Sequence, residues 1–76
     1  MKELKEKIMK ILSNHGFIMV DFKVFPAIGV VQFEIIGKDY FPFDLFSDLE
    51  FSGCLSTLSP SSHDGQNSFL LVLRLE

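Results

Sequence analysis

Apolar residues recur at helical spacing through the first fourteen positions. Leu4, Ile8, Ile11 and Leu12 fall at i, i+4, i+7 and i+8, which predicts a helix over residues 2–14 with a narrow apolar stripe. Glu3 and Lys7, like Glu6 and Lys10, stand four apart in the favourable order and add a few tenths of a kcal/mol each. Asn14-His15-Gly16 is the stop signal. Gly16 suits the left-handed C′ position, which places Phe17 at C″ opposite Leu12 at C3, the apolar contact of a Schellman ending. His15 then lies where a cation favours the helix C-terminus.

The period next drops to two. From Phe17 to Phe25, Ile18, Val20, Phe22 and Val24 share one side, while Asp21 and Lys23 lie on the other, between Met19 and Phe25. Pro26-Ala27-Ile28-Gly29 has turn chemistry, and Val30 to Ile36 alternates again, with Val31, Phe33 and Ile35 opposite Gln32 and Glu34. A hairpin follows, one face of which suits the helix stripe. Gly37-Lys38-Asp39 closes its second strand.

Pro42 argues against a central strand in the stretch that comes next. Asp44 is placed to N-cap a short helical turn over 45–49. Residues 51–58 read as a third strand, diluted by Gly53 and several serines, and 60–67 as a polar loop. The final segment, Ser68 to Leu75, is apolar on nearly both faces, which fits a central strand or a contact surface. These elements predict an α+β domain over residues 1–76, with the N-terminal helix packed on one face of a roughly four-stranded antiparallel sheet.

Composition turns this pattern into a problem of quantity. Apolar residues make up 47% of the 76 positions, nine of them Phe, each bringing about 150–250 Å² to burial. One helix layer on one sheet has a single buried interface. After Phe22, Phe33 and Leu71 are placed there, Phe17, Met19, Ile28, Val30, Leu70 and Val72 lack inner positions, as do some of Tyr40, Phe41, Phe43 and Phe46. Leu70 and Val72 point the same way from one strand, so they form a contiguous patch, the signature of an interface.

The richest stretch is 37–51, GKDYFPFDLFSDLEF. It interleaves Tyr40, Phe41, Phe43, Phe46 and Phe51 with Asp39, Asp44, Asp48 and Glu50. Two expectations follow. Either its rings close the open end of the core and its acids face water, or an aromatic cluster with an acidic rim is a docking face for a basic partner. The candidate partner-binding residues are therefore Asp39, Tyr40, Phe41, Phe43, Asp44, Phe46, Asp48 and Glu50, together with Leu70 and Val72.

Charge and chemistry narrow the alternatives. Net charge is −3, and there is no Lys or Arg from Asp39 to Leu73. Duplex binding needs a basic stripe. The only candidate is the helix bearing Lys2, Lys5, Lys7 and Lys10, so nucleic acid is a minor alternative, as is an acidic mimic of a phosphate backbone. His63-Asp64 lacks an orienting third group, and its residues are also those of a solvated turn. Two histidines and the single Cys54 have no metal-ligand spacing, and the glycines never approach a phosphate-cradling pattern. No catalytic residue, metal or cofactor is implied.

The longest apolar run, Phe69 to Leu73, is far short of the ~20 residues of a membrane helix, and the N-terminus is too mixed for a secretory signal. One cysteine leaves no internal disulfide and favours the reducing cytoplasm. The expected function is non-catalytic binding of another protein, as adaptor, assembly subunit or inhibitor. An inhibitor of a host machine carried by a phage or mobile element is one such case. A homodimer or larger homo-oligomer is the alternative that uses the same apolar surplus on itself.

Overall fold

A computed structural model describes residues 2–51 and 53–75; Ser52, within the expected third strand, lies outside the described residues. The chain forms α1 (Lys2–Asn14), β1 (Ile18–Phe25), a 3-10 turn (Pro26–Ile28), β2 (Val30–Ile36), α2 (Phe43–Leu49), β3 (Gly53–His63) and β4 (Gln66–Leu75). The four strands make one antiparallel sheet in the order β1-β2-β4-β3. It is an α+β fold with α1 against the sheet.

The helix ends as its glycine dictates. Gly16 has φ 79°, Phe17 N–H donates to the Leu12 carbonyl at 2.9 Å, and Gly16 N–H donates to Ser13 at 3.1 Å. These are the paired bonds of a Schellman motif. The reversal turns Phe17 into the core, where it is buried and packs on Phe41 and Phe69. The expectation that Phe17 lacks an inner place is thereby corrected. The bend also brings the Gly16 carbonyl against Gly37, where a Cβ would lie 2.3 Å from that oxygen.

One face of the sheet carries the core. Val31, Phe33 and Ile35 of β2 and Leu71 and Leu73 of β4 are fully buried with Ile8 and Leu12 of α1 and Leu45 and Leu49 of α2. In β1 the simple alternation fails. Met19 pairs with Ile35 and Asp21 with Glu34, so Val20 is an extra, bulged residue. The bulge shifts the side-chain parity. Met19 packs on the core beside Phe22 and Val24, while Ile18, expected inside, is 61% exposed on the opposite face.

The second half departs further from expectation. Residues 60–67 are not a loop, because β3 and β4 run to a two-residue turn at Asp64-Gly65, with φ of 50° and 78°. Positive φ at both central positions is the hairpin turn that Asp-Gly favours. Pro60 is tolerated because β3 is an edge strand. Asp44 does not cap α2. The N-cap is Pro42, and Asp44 lies in the first turn, where its charge still suits the helix dipole.

Candidate functional site

The segment joining β2 to β3 divides its side chains between core and solvent. Leu45 and Leu49, four apart on α2, anchor it, with Phe46 and Phe51 packed beside them. Phe41 meets Phe69 edge-to-face at 5.7 Å between centroids and closes one end of the core. Tyr40 and Phe43 turn outward, 61% and 79% exposed. Phe43 lies nearly parallel to Phe46 at 6.4 Å, so its inner side is propped while its outer side meets water. Lys38 Nζ stands 5.6 Å from the Tyr40 ring centroid.

The acids of this segment differ in the same way. Glu50 Oε2 accepts the Leu55 N–H at 3.0 Å and so pins the start of β3. Asp48 Oδ2 lies 2.9 Å from His15 Nε2 and ties α2 to the end of α1. Asp39 Oδ1 accepts from the Asn67 amide at 3.1 Å across the surface. Asp44 is exposed. Tyr40, Phe43, Asp39, Asp44 and Asp48 are thus the exposed rings and acids of this segment, whereas Phe41, Phe46 and Glu50 serve packing and strand alignment.

The other candidate surface is the sheet face that no described element covers. Cross-strand partners set its rows. Phe25, Val30, Arg74 and Cys54 form the first; Lys23, Gln32, Val72 and Thr57 the second. Asp21, Glu34, Leu70 and Ser59 form the third; Ile18, Ile36, Ser68 and Ser61 the fourth. Val30, Ile36, Leu70 and Val72 are half-buried only by their neighbours, and Phe25 is 41% exposed.

A polar cluster on this face escaped the sequence pattern. Ser68, almost wholly buried, donates its hydroxyl to Glu34 Oε2 at 2.6 Å, and His63 Nδ1 lies 3.6 Å from Glu34 Oε1. The Glu34 side chain is 14% exposed. The order is hydroxyl, carboxylate, imidazole. The Ser68 hydroxyl is thus held as a donor to the carboxylate, and the imidazole stands on the carboxylate's other oxygen. The Asp-Gly turn was the signal that would have brought His63 to this face.

Other chemistry is sparse. Among the described residues, no group of three or more His, Cys, Asp or Glu is placed to hold a metal ion, and no helix is long and apolar enough to cross a membrane. A shallow groove of about 350 Å³ between α1 and β1 is lined by Lys5, Met9 and residues 19–22. The helix lysines are partly engaged, since Lys7 Nζ sits 4.4 Å from the Phe51 centroid and Lys5 Nζ 5.6 Å from that of Phe22. Neither a protein-family model, nor a curated protein, nor a solved structure matches the chain. Its own surfaces carry the functional reading.

Proposed function

We propose that this chain is a small, non-catalytic protein-binding module of the cytoplasm, acting as adaptor, assembly subunit or inhibitor. The observation that carries the reading is the outward projection of Tyr40 and Phe43 from a segment whose remaining rings are packed. Two exposed aromatic side chains beside Asp39, Asp44 and Asp48 have the anatomy of a docking patch, with an apolar centre and a charged rim. The acidic rim favours a basic partner and steers its approach. The exposed, free Cys54 suits a reducing compartment.

The test compares immobilised wild-type chain with a Tyr40→Ser, Phe43→Ser variant for capture of basic proteins from the native host, alongside melting temperatures. The reading expects bound protein to be lost from the variant and to elute from the wild type with salt, at unchanged melting temperature. An identical captured set, or a collapsed melting temperature, contradicts it.

A further inference from the structure

The uncovered sheet face has a pattern that its four rows make visible. Its outer rows are apolar on the β1-β2 side, Phe25 and Val30 at one end and Ile18 and Ile36 at the other. Between them run a row beginning with Lys23 and a row beginning with Asp21, with Val72 and Leu70 at matching places on β4. A two-fold axis lying in the face, across the strands and between these inner rows, exchanges the first row with the fourth and the second with the third. Every strand then lies over its own copy.

The geometry points to a second copy of this chain as the occupant of the face, packed sheet on sheet about that axis. The exchange sets Phe25 and Val30 over the other copy's Ile18 and Ile36, and Val72 over its Leu70. Lys23 lies over the other copy's Asp21, so the 3.8 Å ion pair within each chain becomes part of a four-charge cluster. Self-complementarity of this kind is what an isologous interface requires. Aligned packing of two twisted sheets is a standard arrangement, with strands within about 30° of one another.

Two further features favour the face over the sheet edges. Both edge strands are blunted, β1 by the bulge at Val20 and β3 by a bulge at Ser56 and by Pro60. Such devices discourage edge-to-edge pairing. The carboxylate most costly to cover, that of Glu34, already has the Ser68 hydroxyl as donor. Four strands and four rows span about 19 by 20 Å, so two faces meeting remove on the order of 1,000 Å² from water. That is the lower bound for a specific interface, in the size range of weak and transient contacts.

The pairing does not depend on the docking patch of Tyr40 and Phe43, and the two fail separately. Sedimentation equilibrium from micromolar to millimolar concentration is expected to show the mass rising from monomer to dimer. Lys23→Asp alone and Asp21→Lys alone place like charges over each other, and each is expected to weaken association at least about tenfold. The double exchange, Lys23→Asp with Asp21→Lys, restores the opposition and is expected to restore the dimer. Both side chains are substantially exposed, so the fold is retained. Val72→Thr, which removes an apolar contact at the centre, is a second variant and is expected to weaken the dimer in the same assay. A monomer at the highest concentration overturns the proposal, as do single variants that associate like wild type or a double exchange that fails to rescue. Capture through Tyr40 and Phe43 is expected to survive in all these variants.

Discussion

The two faces of β4 are built from nearly the same side chains and have opposite environments. Leu71 and Leu73 point toward α1 and α2 and are fully buried, while Leu70 and Val72 point to the other side and have only their neighbours for cover. Hydropathy therefore does not decide which face becomes core. The decision belongs to the helices, whose own stripes, Ile8 with Leu12 and Leu45 with Leu49, suffice for one face only. In a chain this short, the same strand stabilises the monomer with one side and is left available for association with the other.

Substitution on the two sides sharpens the contrast. Leu71→Ala is expected to cost about 2–5 kcal/mol in urea denaturation, because it opens a cavity between sheet and helices. Leu70→Ala, one residue away, is expected to cost less than about 1 kcal/mol in dilute solution. Equal costs would mean that the outer face is covered in the monomer. Gly37→Ala acts on the helix side alone, since its φ of 148° and the Gly16 oxygen leave no room for a Cβ. The expected loss is about 2 kcal/mol or more, and a neutral result by thermal melting would contradict the close approach of Gly37 to the Gly16-Phe17 turn.

The polar cluster gives a smaller effect on the outer face. Ser68→Ala removes a buried donor from Glu34 and is expected to cost about 1.5 kcal/mol. Ser68→Ala with Glu34→Leu is expected to recover most of it, because no carboxylate is left unpaired. A double variant less stable than the single one would show that Glu34 acts through other partners. The smallest effect belongs to the docking patch. Phe43→Ser is expected to change stability by less than about 0.5 kcal/mol, given its exposure. A larger loss would make Phe43 a lid on Phe46.

How much of this was legible in the sequence follows the same division. The helix, its Schellman ending and the β1-β2 hairpin were readable because period and glycine act locally at residues 2–36. Two features were not. The bulge at Val20 is a mismatch in pairing, two residues against one, and it leaves no mark in composition; it exchanged the faces of Ile18 and Met19. The β3-β4 hairpin was hidden because residues 60–67 are largely exposed and need no apolar alternation. Only Asp64-Gly65 marked the turn there.

For the candidate site, the surplus of apolar side chains was legible and its allocation was not. A helix of period 3.6 over residues 43–49 sets Leu45 and Leu49 inward and Phe43 outward, but Phe41 is placed by Phe17 and Phe69, far away in sequence. The acids divided for the same reason, since Glu50 found a partner on β3 and Asp48 one just past the end of α1. The Glu34–Ser68 bond joins strands 34 residues apart. No local pattern reports it.

The contrast between the faces is measured most directly through the methyl groups that line them. In protein with labelled Ile, Leu and Val methyls, relaxation by a soluble paramagnetic chelate is recorded by NMR as concentration rises. Val30, Ile36, Leu70 and Val72 are expected to be strongly relaxed in dilute samples and to become shielded together at high concentration, while Val31, Leu71 and Leu73 are shielded throughout. Outer-face methyls that stay equally accessible at every concentration would contradict this expectation.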